Sequence, residues 1–356
     1  MRPSDVQFVV GLSGYFVKDL QAVRETPNYS PPLDNASPRT PGFKTAVQGG
    51  QVISVLLFFP NGETVVGDCV DVIFSGDASR DPLFVAEEHI PILESAALLA
   101  ATSLVHRCTA AEVITREWNT TIAGCPINIL ASCHQDDTLQ LDRVIMKGAS
   151  MLPHASFVSP SDIRPQGSKL LDYVRSVSRR IQARARHGYH PRLHLDVYGT
   201  LGDVFPELEE LASSMRRIHQ RAEPYEVLIE SPIVASTKTA QIQQLAELRR
   251  PLLEKSIDVE LVGDEWCNTL EDIKEVVDAS AVDFVQVKKP DLGGVHNSID
   301  GVLYCRAKGV GCVPLVAHAD VGVLRDVEGF VGGGLGQFNL LYHTQTFVFH
   351  CSKIQC

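Results

Sequence analysis

The chain has 356 residues, 44% of them hydrophobic, with a formal net charge of -11. That length supports one large domain or two ordinary ones with sizeable cores. The negative balance argues against a general affinity for nucleic acid or an anionic membrane, and no apolar run approaches the ~20 residues that span a bilayer.

Nine cysteines lie scattered without a CxxC pair, and the N-terminus lacks the three regions of a signal peptide. Reduced thiols in a cytoplasmic protein are therefore expected. The one basic cluster, Arg179, Arg180, Arg184 and Arg186, reads as a solvated helix face.

In chain order, residues 6–16 are expected to form a strand and a turn. Residues 51–74 are expected to form a hairpin about Asn61-Gly62, because Asn-Gly between two apolar runs favours the tight hairpin turn. The loop between them, residues 26–50, is rich in Pro, Asn, Ser and Gly, and residues 85–118 have a helical pattern. This first third, residues 1–120, is expected to be a small α+β domain.

From about residue 126, short apolar strands alternate with amphipathic helices. The strands are expected at 126–132, 152–158, 192–198, 225–231, 257–263 and 283–288. The helices fall at 167–187, 205–221, 236–255, 268–279 and 295–308. Repeated strand-helix units imply a parallel sheet, since parallel neighbours need a crossover. About six units in a row favour an α/β barrel, with an open doubly wound sheet as the alternative. No glycine-rich phosphate loop follows a strand.

Chemistry concentrates at the strand ends. Asp196 lies in HLDVYGT, Glu230 in LIESP and Asp264 in LVGDEWCNT; they are spaced 34 residues apart, and Lys288 follows 24 later. Each interval suits one strand-helix unit, so three carboxylates meet at the end of the sheet where barrel enzymes place their chemistry. Such a cluster needs a cation, and all-oxygen donors favour a hard ion such as Mg2+. The plainer alternative is that each acid caps a helix or pairs with an arginine.

In VQVKKPDLGG (285–294), alternation puts Gln286 and Lys288 on one face and Val285, Val287 and Lys289 on the other. A lysine beside a metal in a partly dry site gives up its proton more readily and can act as a base. The alternative for Lys288 is a buried ion pair with one of the acids. His154, in MLPHASF, would face the same mouth, as a catalytic or a structural histidine. His187, His190 and His194 are expected to be structural or surface groups.

These motifs, with SGDASRDPLF (75–84), resemble the 3-methylaspartate ammonia-lyase family of the enolase superfamily. The resemblance implies a modified TIM barrel under an N-terminal capping domain, assembled as a homodimer. It implies Mg2+ held by Asp196, Glu230 and Asp264, with a monovalent cation allowed beside it. Sites of that superfamily pair a lysine or histidine base with Mg2+. Lys288 matches the base that removes the C3 proton of L-threo-3-methylaspartate. Gln286 matches a substrate-binding glutamine, and His154 the histidine that stabilises the intermediate. Ammonia then leaves C2 and mesaconate forms, in glutamate catabolism.

Three features depart from that pattern. A capping segment is missing after residues 91–94. Gln135, in ILASCHQDD, lies near but not at the place of the second substrate glutamine. The likeness stops near Gly311, so the barrel is taken as residues 121–310. Residues 311–356 are expected to be a divergent tail without clear strand-helix alternation, leaving the barrel incomplete. The second reading is accordingly a non-catalytic, truncated homologue with an incomplete substrate pocket.

Overall fold

A computed structural model of the chain describes residues 4–25, 37–70, 74–76, 83–90, 110–121, 128–288, 291–292, 295–316 and 347–350. Two sheets organise it. The first is built from β1 (Asp5–Asp19), β2 (Val47–Phe58), β3 (Thr64–Val70) and β4 (Phe74–Ser75), in the order β3-β2-β1-β4. The Asn61-Gly62 hairpin forms: Phe58 pairs with Thr64, and Gly62, at φ 83°, donates its N–H to the Phe59 carbonyl. Of the helical pattern at 85–118, Ala86–His89 and Ala110–Glu117 are helical. The segment after residues 91–94 lies outside the described residues.

The second sheet is a barrel. Its strands are β5 (Asn128–Ala131), β6 (Met151–Ser156), β7 (Arg192–Asp196), β8 (Val227–Glu230), β9 (Val259–Gly263), β10 (Phe284–Lys288), β11 (Gly311–Val316) and β12 (Phe347–His350). They close in the order β10-β11-β12-β5-β6-β7-β8-β9. Seven of them, β5 to β11, run parallel. Helices follow the strands, and several start on a side-chain cap that satisfies a free amide. Thr237 caps Lys238–Glu254, and Thr269 with Asp272 forms a capping box on Leu270–Asp278.

The expectation of an incomplete barrel is corrected here. Residues 311–316 form a seventh parallel strand beside β10, and residues 347–350 form β12, antiparallel to both β11 and β5. Closure covers the edges that β5 and β11 would otherwise leave open. Pro314, which lacks an N–H, falls in β11 where β12 has no partner for it; β12 pairs only with Leu315 and Val316. Phe284 stands across from Gly311, and a Cβ there would collide with the phenyl ring.

Alternation along each strand separates two interiors. Leu193, Leu195, Ile229 and Leu261 face out, into the main cluster against the helices. Val285 and Val287 do the same in a neighbouring cluster. Inward, Leu130, Met151, Leu228, Val262, Phe284 and Val313 form one apolar layer across the barrel. Further along the same strands the inward positions turn polar: His194 and Asp196 on β7, Glu230 on β8, Gln286 and Lys288 on β10. The apolar layer is the floor of the site, and the strand ends are its mouth.

The small sheet docks over that mouth. Leu20 and Val23, on the short helix Leu20–Glu25, pack against Val158 and Tyr198 from the loops after β6 and β7. Phe74 meets Tyr198 edge-on at 5.4 Å. The basic cluster is corrected as well: Arg180 and Arg184 are not merely solvated but both bind Asp142 at 2.9 Å, joining two helices.

Asp19 anchors the start of the docking helix. Fully buried, it accepts from the amides of Arg39 (2.6 Å) and Thr40 (2.8 Å) and from the Thr40 hydroxyl (2.8 Å). Burial pushes its carboxyl up, but the bonds from Thr40 and Arg39 outweigh it and hold the group below its usual range. A depressed carboxyl stabilises the fold above its unfolded pKa, and the effect is lost as pH falls through the folded value. Asp19→Ala is therefore predicted to cost ~2–4 kcal/mol at pH 7 in urea unfolding. The gap to the unmodified chain should shrink below pH ~4. Equal stability of the two chains at pH 7 would contradict this.

Candidate active site

Asp196 ends β7, Glu230 ends β8, Asp264 directly follows β9, and Lys288 ends β10. All four are buried, with exposures of 1%, 1%, 3% and 8%. The local backbone is unusual at these ends. His154, Tyr198, Ser231 and Trp266 are all non-glycine residues with left-handed φ, at 42°, 44°, 48° and 63°. L-residues adopt this conformation at a cost, and such strain concentrates at functional sites. His154 also sits where the β6–β7 register slips between Pro153 and Ala155, a bulge that re-aims a side chain.

Glu230 is the hub. Its Oε2 lies 2.7 Å from His194 Nε2, 2.9 Å from Gln286 Nε2 and 3.2 Å from His154 Nε2. Gln286 donates through its amide. Burial holds His194 towards its neutral form, against the pull of Glu230, so the proton on Nε2 donates to the carboxylate. Lys288 Nζ pairs with Asp264 Oδ1, so the lysine's ion-pair alternative is realised in this structure. Asp196 Oδ2 accepts from Ser156 Oγ at 3.4 Å, whereas the buried Oδ1 has no hydrogen-bond partner among the described residues.

Two neighbouring carboxylates are driven apart. Asp196 is pushed well above its usual range, first by burial and then by Glu230, Glu265 and Asp264; Lys288 offsets part of this. For Glu230 burial acts in the same direction, yet the bonds from His154 and His194 outweigh it and hold the carboxyl well below its usual range. An Asp196 oxygen left without a hydrogen bond among like charges is suited to be a cation ligand. The donor set there is carboxylate oxygen, as a hard divalent ion requires. A second candidate group overlaps it: the ligand atoms of His154, His194 and Glu230 lie within 4.8 Å of one another.

The cluster thus gathers Asp196, Glu230, Asp264, Lys288, Gln286 and His154. Gln135 is not tied to it. It lies half-buried in the turn after β5, and its side-chain oxygen has no hydrogen-bond partner among the described residues. Lys289 lies outside the described residues.

Two members were not foreseen. His194, expected to be structural or surface like His187 and His190, is wholly buried on Glu230; its place two residues before Asp196 on one strand was the available signal. Glu265 is buried and accepts from Ser231 Oγ, tying the end of β9 to that of β8. Strand alternation sends Asp264 and Glu265 to opposite faces, but β9 stops at Gly263 and the turn brings both inside.

Comparison with known proteins places this geometry. Residues 1–97 match the family described as the methylaspartate ammonia-lyase N-terminus, and residues 102–315 the corresponding C-terminus. Methylaspartate ammonia-lyase 1 of Carboxydothermus hydrogenoformans is 36% identical over 353 residues, covering 87% of this chain and 84% of its own. Among solved structures, the Citrobacter amalonaticus methylaspartate ammonia lyase containing (2S,3S)-3-methylaspartic acid is 33% identical. It has a TM-score of 0.80 and covers 88% of this chain and 86% of its own. The Mg-complex of Clostridium tetanomorphum beta-methylaspartase is 32% identical with a TM-score of 0.75, covering the same shares. Muconate lactonizing enzyme of Pseudomonas putida, at 12% identity and a TM-score of 0.55, shares the fold alone.

A carboxyl raised above its unfolded pKa stabilises the fold below that pKa, and the effect is lost as pH rises through the folded value. At neutral pH the metal-free chain has therefore lost stability that it holds at low pH, and an uncharged amide at this position escapes that loss. Asp196→Asn is predicted to raise the melting temperature in EDTA at pH 7 by at least ~2–4 °C, the shift that ~1 kcal/mol produces. The advantage should narrow towards pH ~4. An unmodified chain that melts as high as the variant at pH 7 would contradict the assignment.

Proposed function

This chain belongs to the methylaspartate ammonia-lyase family, and we propose that it eliminates ammonia from L-threo-3-methylaspartate to give mesaconate. The observation that carries this reading is the placement of Lys288 and His154. They come from β10 and β6, four places apart either way around the eight-stranded ring, so they flank the mouth from opposite walls. A substrate seated between them would present one face of C3 to an amine and the other to an imidazole.

Lys288 is proposed as the base that takes the C3 proton. To do so it must part from Asp264 and release its own proton to solvent, because only the free amine can accept one. The electron pair left at C3 forms the C2–C3 double bond as the C–N bond breaks, and ammonia leaves from C2. His154 hydrogen-bonds the substrate carboxylate whose charge grows during the step, a contribution that strengthens in a site shielded from water. Gln286 is proposed to orient the substrate, and Gln135 to reach it from the β5 turn. Asp196, Glu230 and Asp264 are proposed to hold Mg2+, which supplies Lewis-acid stabilisation of the charge on the carboxylate next to C3. His194 and Gln286 fix Glu230 for that role. The helix Leu20–Glu25 covers the strand ends and limits access of water.

The same reading divides the chain into a capping domain (1–120) and a barrel that starts near residue 121 and takes in β11 and β12, beyond the boundary at 310 expected from the sequence. It takes the assembly as a cytoplasmic homodimer, the reaction as a step of glutamate breakdown, and a monovalent cation as an allowed second ion. Among the described residues no helix is long and apolar enough to cross a membrane. A second reading, a non-catalytic homologue, is favoured by one observation: the family match ends at residue 315 while the chain runs to 356.

The two readings separate in one assay. Chain supplied with (2S,3S)-3-methylaspartate and Mg2+ is predicted to form mesaconate, followed by its ultraviolet absorbance, and EDTA should abolish the signal. Lys288→Ala and His154→Ala should each lower kcat by ~10²–10⁴-fold. A folded, metal-binding chain that yields no mesaconate would favour the non-catalytic homologue.

A further inference from the structure

We propose that His154, His194 and Glu230 form a second metal site, for a borderline ion such as Zn2+, whose occupation switches the lyase off. The part of this proposal that concerns inhibition rests on the function proposed above; the site itself does not.

Two imidazoles and one carboxylate are a zinc donor set, and three protein ligands leave a fourth position for water or substrate. The atoms are already gathered, with His154 Nε2 3.2 Å and His194 Nε2 2.7 Å from the same Glu230 oxygen. Zinc bonds of ~2.0–2.1 Å in a tetrahedron separate neighbouring ligands by ~3.3–3.4 Å. The His154 pair meets that spacing, and the His194 pair needs to open by only ~0.6 Å. The rings meet nearly perpendicular, at 89° and 5.1 Å between centroids, so they approach the carboxylate from different directions. For zinc to bond Nε2 of His194, the ring proton must move to Nδ1. Among the described residues, that buried atom has no hydrogen-bond partner to lose.

Mg2+ and Zn2+ would select different parts of one cluster. Carboxylate oxygen suits Mg2+, whereas imidazole nitrogen strongly favours zinc. The two sets share Glu230, so zinc on its Oε2 competes with the hard ion for that carboxylate. Zinc on the nitrogen set occupies His154 Nε2 and Glu230 Oε2. The substrate would then lose its proposed histidine, and the hard cation one of its carboxylates. Excess Mg2+ would not reverse this, because it competes poorly for imidazole.

The test is zinc-edge X-ray absorption on full-length chain loaded with one equivalent of Zn2+ in excess Mg2+, with ammonia release measured on the same sample. The expected spectrum shows two imidazole nitrogens at ~2.0–2.1 Å, together with loss of ammonia release. His194→Gln should raise the zinc dissociation constant by more than the ~10–100-fold typical of an outer-shell loss. If that variant fails to fold, His154→Gln, at the accessible edge of the triad, should show the same weakening. Scattering from oxygen ligands alone, or zinc that Mg2+ displaces, would overturn the proposal. So would full ammonia release from chain shown to carry the two-nitrogen zinc site. An unmodified chain that releases no ammonia even with Mg2+ alone would sink the lyase reading, and the zinc spectrum would still decide the site.

Discussion

Four carboxylates, Asp196, Glu230, Asp264 and Glu265, are buried at one end of a barrel whose other end is packed with Leu130, Met151, Leu228, Val262, Phe284 and Val313. Burying like charges above an apolar floor is costly unless each finds a partner. Every notable contact at this end answers that demand. His154, His194 and Gln286 crowd onto Glu230, Lys288 pairs with Asp264, and Ser231 donates to Glu265. Among the described residues Asp196 keeps one oxygen without a hydrogen bond, and it is pushed towards protonation, first by burial and then by its neighbours. The site is poised for a cation because its internal compensation stops short of completion.

The same constraint links fold to chemistry. A parallel barrel delivers every strand end to one face, and alternation along β7, β8 and β10 makes the inward residue at each end a charged one. The left-handed turns at Tyr198, Ser231 and Trp266 then lead the chain away while the acids stay inside. Lys288 has two tasks in this scheme. In the structure it neutralises Asp264. In the proposed reaction it must leave that partner, so the group that balances the charge is also the group that takes the proton.

Much of this was legible in the sequence because regular elements announce themselves. The even spacing of Asp196, Glu230 and Asp264 reports strand-helix units of equal length, and period-two alternation puts Gln286 beside Lys288. What escaped lies where regularity breaks. Glu265 comes inside because the chain turns immediately after Gly263. His194 was masked by its neighbours: His187 and His190 lie on a surface loop, and a run of three histidines invited one explanation for all. β11 was hidden by Pro314, which argues against a strand unless its missing amide falls where no partner requires it. β12 carries a strand signal in Phe347, Val348 and Phe349, but at four residues it is too short to reveal its place. The open edges of β5 and β11 take it up in antiparallel sense and close the ring.

The most direct test of the account is a crystal structure of the chain soaked in Mg2+ without substrate. The account predicts one ion among Asp196, Glu230 and Asp264, with the stranded Asp196 oxygen as a ligand and the Lys288 ammonium withdrawn from Asp264. An ion bound elsewhere, or Lys288 still seated on Asp264 with Asp196 bare, would contradict it. The buried carboxylates would then be a structural network rather than a cation site.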